Sequence, residues 1–216
     1  DVYEKGNCQV YVWEDEVIPH EVKVLPAPFT IRKNAQGDWD IDIHHTDCLF
    51  FRFLINASRV HWRKELEEEL DKLPLKEQEA YREAHRWDIA GPLLSAQEIQ
   101  EQKLHLINKL VSFGYLLHRF KDPANAYFIW VMDHAMASTE DSNGGTGKSM
   151  GYMSLARLMK HKLLAGRNGR LTDDPHFMEG TTEHTDILLI DDANKYLDFE
   201  AFYSMINQFM PVNPKG

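Results

Sequence analysis

The amino-acid sequence predicts an α/β fold built around a glycine-rich loop that binds phosphate. Residues 141–149 form this loop, and their small side chains let successive backbone N–H groups surround phosphate oxygens. Apolar side chains follow at helical spacing over residues 152–159, as expected where a loop delivers phosphate to a helix. Further along, the apolar run 187–190 is typical of a buried strand, and it ends in Asp191 and Asp192. Loop, helix and acidic strand together favour a nucleoside triphosphate site.

The first 55 or so residues are expected to be rich in β-strands. Apolar residues alternate along two short runs near the N-terminus, 10–13 and 22–24. Two further strand-like segments, 29–31 and 39–43, flank the sequence Asn-Ala-Gln-Gly at residues 34–37. This composition is typical of a tight turn, so the two segments are predicted to form a hairpin.

Helical signals begin at Ser58. An apolar seam at helical spacing, ended by Pro74, predicts the first helix, and the glutamates on its other face are expected to be solvated. A second helix is predicted over residues 75–86. The capping box at residues 95–98 predicts the start of a long helix that runs towards His118.

These elements predict two regions. Residues 1–90 are expected to be β-rich and then helical, and residues 91–216 to contain a helix and a nucleotide-binding core that is incomplete at its C-terminus. The bulky apolar run 127–132 is expected to be the buried first strand of the parallel sheet in this core. About ten residues separate this run from the glycines. Either the strand is extended or an insertion follows it, and the sequence leaves both open.

The loop supplies the candidate nucleotide-binding residues. Lys148 is expected to reach the outer phosphates, and the Ser149 hydroxyl is expected to ligate Mg²⁺. The usual pattern begins with a glycine where this chain has Ser142, so a solvated glycine-rich hairpin is the alternative interpretation. The predicted nucleotide-binding residues are Asn143, Gly144, Gly145, Thr146, Gly147, Lys148, Ser149 and Met150.

Asp191 and Asp192 are the candidate acidic residues. Asp191 is expected to share the Mg²⁺ ion with Ser149, through a water molecule, and Asp192 to orient or deprotonate the attacking water. Together with Lys148 they form the predicted catalytic set. The alternative is that both aspartates only end a strand and cap the following helix, which is a common role of Asp.

Composition limits the classes of function. The chain of 216 residues carries a formal net charge of −10, which argues against a broad basic face for nucleic acid. A ring whose pore is lined by a few basic residues remains compatible with this charge. Neither a signal peptide nor a membrane span is expected, because the sequence contains no run of the roughly 20 apolar residues that span a membrane and does not open with a signal-peptide pattern. It does not begin with Met, as expected of a fragment.

The cysteines indicate a reducing, cytosolic context. Cys8 and Cys48 show no spacing typical of a metal site. His44, His45 and Asp47 lie close to Cys48 in sequence, but no second cluster accompanies them. Ordinary structural roles are therefore expected for these four residues.

A family resemblance is carried by residues 53–62, 114–123, 143–149, 190–192 and 198–215. In these segments the chain resembles the superfamily 3 helicases, and more closely the C-terminal ATPase domain of phage and mobile-element primase-helicases. The resemblance implies a P-loop NTPase core of the AAA+-like kind.

The resemblance implies an ATP-dependent DNA helicase that uses ATP and Mg²⁺. Such subunits assemble as homo-oligomeric rings, commonly hexamers, and translocate on single-stranded DNA. The resemblance also implies a location in the cytoplasm of a bacterial host and no membrane partner. Lys215 would contact DNA from a hairpin. The sensor asparagine and the arginine finger of the family would lie after residue 216. This fragment is therefore expected to be inactive alone.

Two other functions are compatible with the loop. A small-molecule kinase would need a lid of arginines, and Arg157, Arg167 and Arg170 are the clustered candidates. A carboxylate pair at a strand end fits water activation better than phosphate transfer. The other alternative is an oligomerisation module whose loop, with Ser142, has lost its affinity for nucleotide.

Overall fold

The chain contains helices and two-stranded sheets in two compact units, residues 1–109 and 110–216. The division falls inside a long helix. Leu106 and Ile107 of that helix are buried in the N-terminal unit. The computed structural model describes residues 2–5, 8–11, 27–44, 46–118, 127–132, 147–194, 196–203 and 212.

Strands of the N-terminal unit pair in two antiparallel sheets. Strands β1 (Val2–Lys5) and β2 (Cys8–Tyr11) form the first, and β3 (Phe29–Lys33) and β4 (Trp39–Ile43) form the second. The turn between β3 and β4 has Gly37 at a φ of 87°, and the Asn34 side chain accepts hydrogen bonds from the backbone of Gln36 and Asp38. The hairpin predicted from the sequence is confirmed. The predicted run at residues 22–24 lies outside the described residues.

Four helices follow β4: α1 (Leu49–Asn56), α2 (Trp62–Asp71), α3 (Leu75–Ala84) and α4 (Ala96–Leu116). Pro74 separates α2 from α3, and the capping box of α4 forms as predicted, because the Ser95 N–H donates to the Glu98 carboxylate at 2.8 Å.

Helix α1 corrects the expectation of a β-rich region that extends to about residue 55. Its apolar side chains Phe51, Leu54 and Ile55 are buried. Their spacing of three and four residues places them on one helical face, whereas a strand would turn alternate residues away from the core.

Within its described residues, the C-terminal unit contains a two-stranded parallel sheet. Helix α5 (Lys148–Met153) precedes strand β5 (His161–Ala165), which pairs with β6 (Ile187–Asp191) from His161 opposite Ile187 to Ala165 opposite Asp191. The sequence predicted a helix through the apolar residues up to 159. The structure ends α5 at Met153 and forms a short 3₁₀ turn, Leu155–Arg157, after it. Buried side chains around the sheet are Leu155, Leu164, Met178, Ile187, Leu197 and Phe202.

The run 127–132 is not the buried strand that the sequence predicted. Neither β5 nor β6 pairs with it, and Tyr127, Trp130 and Met132 are exposed. It is held instead by aromatic contacts, in which the Trp130 ring meets the Phe199 ring edge-on at 4.3 Å. A strand needs a neighbouring strand that shares its backbone hydrogen bonds, and no described strand pairs with this segment. The Tyr127 N–H donates instead to the Tyr115 hydroxyl at 2.9 Å. No helix among the described residues is both long and apolar enough to cross a membrane.

Candidate nucleotide and metal site

The predicted phosphate-binding loop enters helix α5 through Gly147. This glycine has a left-handed backbone with a φ of 82°, a conformation that glycine adopts without steric cost. Lys148 is the first residue of the helix and is half-buried, whereas Ser149 and Met150 are exposed. The predicted ligands Asn143, Gly144, Gly145 and Thr146 and the predicted DNA contact Lys215 lie outside the described residues.

The structure brings Ser149 and Asp191 together. The Ser149 hydroxyl donates a hydrogen bond of 2.8 Å to Oδ1 of Asp191, although the two residues are 42 positions apart in the sequence. Asp191 is the last residue of β6 and is half-buried. The end of the acidic strand therefore lies next to the residue that follows the lysine of the loop.

These two side chains have the chemistry of a magnesium site. A hydroxyl oxygen has two lone pairs, so Ser149 can donate its proton to Asp191 and still offer an oxygen lone pair to a cation. Mg²⁺ prefers oxygen ligands and binds through one or two protein groups together with water and substrate phosphates. No group of three His, Cys, Asp or Glu within the described residues could hold a metal ion by itself. Such a group of three is not required at a magnesium site in which phosphate and water supply the remaining ligands.

Asp192 has a partner that the sequence did not reveal. Its carboxylate forms an ion pair with the Nε–H of Arg167, and its backbone is left-handed with a φ of 54°. The hydrogen bond to Asp192 raises the pKa of Arg167, and the charges of Asp192 and Asp191 add to this effect. The role of Asp192 as the base that activates water stays a prediction, and its carboxylate contacts a guanidinium in this structure.

Strands β5 and β6 are joined by hydrogen bonds beyond their last paired residues. The Gly166 N–H donates to the Asp191 carbonyl at 2.8 Å, and the Asn194 N–H donates to the Gly166 carbonyl at 2.8 Å. The Asn194 side chain also donates to the Arg167 carbonyl at 3.0 Å. Arg167 and Asn194 are thus fixed beside the candidate metal ligands. Neither strand β5 nor this position of Arg167 was predicted from the sequence. The apolar pair at residues 163–164, followed by Gly166, is the signal that could have indicated a strand there.

No known protein family, curated protein or solved structure matches the chain. The resemblance to superfamily 3 helicases therefore stays a prediction from the motifs.

Proposed function

We propose that this chain is part of an ATP-dependent DNA helicase of the phage or mobile-element primase-helicase type. In this proposal it binds Mg·ATP through Lys148, Ser149 and Asp191, and hydrolysis drives translocation on single-stranded DNA by a homo-oligomeric ring in the bacterial cytoplasm. The hydrogen bond of 2.8 Å between Ser149 and Asp191 is the observation that carries it.

The loop residues and the carboxylate at the end of β6 support this proposal by their chemistry. Nucleoside triphosphatases need a loop that holds phosphate and a carboxylate that orients magnesium, supplied by neighbouring strand ends. Here the lysine of the loop begins α5, and the serine that follows it contacts the carboxylate at the end of β6. When bound, Mg²⁺ supplies positive charge between the phosphate oxygens. The protein groups hold and orient the nucleotide.

Equilibrium binding tests the nucleotide site without requiring turnover. A fluorescent ATP analogue is titrated with and without Mg²⁺ into the wild-type chain and into Lys148→Ala, Ser149→Ala and Lys160→Ala. Lys148→Ala is expected to weaken binding by about tenfold or more, because it removes a charged donor to phosphate. Ser149→Ala is expected to abolish the gain in affinity from Mg²⁺ and to leave binding in EDTA unchanged.

Lys160→Ala serves as the control, because Lys160 is an exposed lysine of the same unit that lies outside the site. Its affinity is expected to stay within about twofold of the wild type, as for other surface substitutions. Binding that is unchanged in Lys148→Ala, or equally weakened in Lys160→Ala, contradicts the nucleotide site.

The DNA-dependent step is tested on the full-length protein in its oligomeric form, since this fragment is expected to be inactive alone. ATP hydrolysis is expected to increase when single-stranded DNA is added, because a translocating ring couples turnover to its track. Transfer of the terminal phosphate to a nucleoside or metabolite in the same assay would support a kinase instead.

A further inference from the structure

Arg167 is fixed next to the candidate magnesium ligands. In the parallel sheet Ala165 lies opposite Asp191, so Arg167 follows the end of β5 where β6 also ends. Hydrogen bonds from Gly166 to the Asp191 carbonyl and from the Asn194 side chain to the Arg167 carbonyl hold this backbone in place. The position of Arg167 therefore depends on the same strand ends that present Asp191.

The guanidinium of Arg167 has unused donors. Its Nε–H donates to the Asp192 carboxylate, whereas its other N–H groups form no hydrogen bond with the described residues. The side chain is 85% exposed, so these groups are accessible to a ligand. An arginine presents five N–H donors in a rigid fork, and phosphate is an anion whose oxygens match this geometry.

The contacts run in one order along the site. Lys148 precedes Ser149 in the chain, the Ser149 hydroxyl contacts Asp191, and the next residue, Asp192, contacts Arg167. A magnesium ion held by Ser149 and Asp191 would supply positive charge to the phosphates of a bound triphosphate. Asp192 is the residue predicted to act on the water that attacks the terminal phosphate, and Arg167 contacts its carboxylate. Arg167 is therefore suited to the terminal phosphate.

We propose that Arg167 binds the terminal phosphate of ATP through the N–H groups that Asp192 leaves unused, and that Asp192 positions the guanidinium. This inference rests on the proposed function, since it needs a triphosphate held by Lys148, Ser149 and Asp191. Arg167 would then distinguish ATP from ADP, because ADP lacks the phosphate that it contacts. Asp192 is then a positioning residue for Arg167.

Calorimetric titration with unlabelled nucleotides tests this role. Dissociation constants for Mg·ATP and Mg·ADP are measured for the wild type, Arg167→Gln, Arg167→Lys and Arg170→Gln. Arg167→Gln is expected to weaken Mg·ATP binding by about 10- to 30-fold and Mg·ADP binding by less than about threefold, because only ATP loses a charge-assisted hydrogen bond. Arg167→Lys keeps the charge without the fork and is expected to be intermediate.

Arg170→Gln is the matched control, because it removes the same charge from an exposed arginine three positions away. Both of its affinities are expected to stay within about twofold of the wild type. Unchanged Mg·ATP affinity in Arg167→Gln overturns the inference, and so do equal losses for ATP and ADP or an equal effect of Arg170→Gln.

Different results contradict the proposed function and the role of Arg167. A wild-type chain that binds neither nucleotide contradicts the proposed function, and the inference falls with it. A wild-type chain that binds Mg·ATP, together with an Arg167→Gln variant that binds it equally well, contradicts the inference alone. Arg167 is exposed and its ion pair lies at the surface, so its removal is expected to leave the fold and the melting temperature nearly unchanged.

Discussion

At the scale of single residues, Gly166 allows β5 and β6 to end close together. A Cβ atom built on this glycine would lie 2.6 Å from the Ala193 Cα and 2.8 Å from the Asp191 carbonyl oxygen. Both neighbours are backbone atoms, which cannot rotate away as a flexible side chain can. A glycine is therefore needed at position 166 for the backbone there to approach the backbone of Asp191 and Ala193 this closely.

Gly166→Ala is predicted to destabilise the protein by about 2–3 kcal/mol, because a methyl group at this place forces the two strand ends apart. Gly114→Ala is the matched control, since Gly114 lies in α4 and a Cβ there meets nothing within 4 Å. The control is expected to gain about 0.5–1 kcal/mol from the helix preference of alanine. Urea denaturation of both variants measures the two changes, and a neutral Gly166→Ala would refute this account of the strand ends.

Candidate residues differ in how far the sequence predicted them. Lys148, Ser149 and Asp191 were predicted from a local motif and from the apolar strand before the carboxylate, and the structure places the last two in contact. Arg167 was considered only as part of a kinase lid. Its pairing with Asp192 depends on the register of β5 against β6, which no local pattern specifies.

At the scale of elements, helix α4 caps helix α2. The Gln102 side chain of α4 is fully buried, and its oxygen accepts hydrogen bonds from the backbone N–H groups of His61 at 2.9 Å and Trp62 at 2.8 Å. Its amide nitrogen donates to the Ile89 carbonyl at 2.5 Å. N–H groups at the start of a helix lack partners within that helix, so a distant glutamine satisfies them here.

Gln102→Met is predicted to lower the free energy of unfolding by about 2–4 kcal/mol. Methionine has a similar size, so the loss comes from buried backbone groups that remain without hydrogen bonds. Gln97→Met in the first turn of the same helix is the control, because Gln97 is exposed, and a change within about 0.5 kcal/mol is expected. Chemical denaturation followed by tryptophan fluorescence compares the two, and equal stabilities would show that Gln102 does not cap α2.

The elements themselves were partly predictable. The hairpin of β3 and β4 and the start of α4 follow from a turn sequence and a capping box, which act between residues close in the chain. Helix α1 was missed because its short apolar stretch suits a strand as well as a helix until the burial of one face is known. The exposed run 127–132 was wrongly predicted to be a buried strand. Apolar side chains favour burial, but they do not show whether another strand lies alongside to pair with the segment.

At the scale of the whole molecule, Lys109 makes stability depend on pH. Burial lowers the pKa of this lysine to about 8. Its Nζ donates to the buried Ser58 hydroxyl at 3.1 Å, and within the described part of the chain it forms no ion pair. The folded protein therefore holds an ammonium group at neutral pH in surroundings that favour the neutral amine.

Stability is predicted to rise between about pH 8 and about pH 10.4, because an unfolded lysine keeps its proton there while Lys109 in the folded protein loses it. In that range the unfolded state binds more protons, so an increase in pH favours the folded state. Lys109→Met is expected to remove this rise. It is also expected to add about 1–2 kcal/mol at pH 7, after allowance for the part of the side chain that stays in solvent.

Urea denaturation at several pH values measures the difference between the wild type and Lys109→Met. Taking the difference cancels other titrating groups, such as Arg59, whose pKa burial lowers to about 10. Lys76→Met on the exposed face of α3 is the control and is expected to follow the wild-type curve. Parallel curves for the wild type and Lys109→Met would refute the role of Lys109.

The sequence by itself predicted the hairpin of β3 and β4, the start of α4 and the candidate site residues Lys148, Ser149, Asp191 and Asp192, because turns, caps and glycine-rich loops depend on near neighbours in the chain. Only the tertiary structure decided which of these groups meet. It placed Ser149 against Asp191, Arg167 against Asp192, and Gln102 at the start of α2. Contacts between residues so distant in the chain are set by strand register and by burial of polar groups, which only the packed molecule fixes.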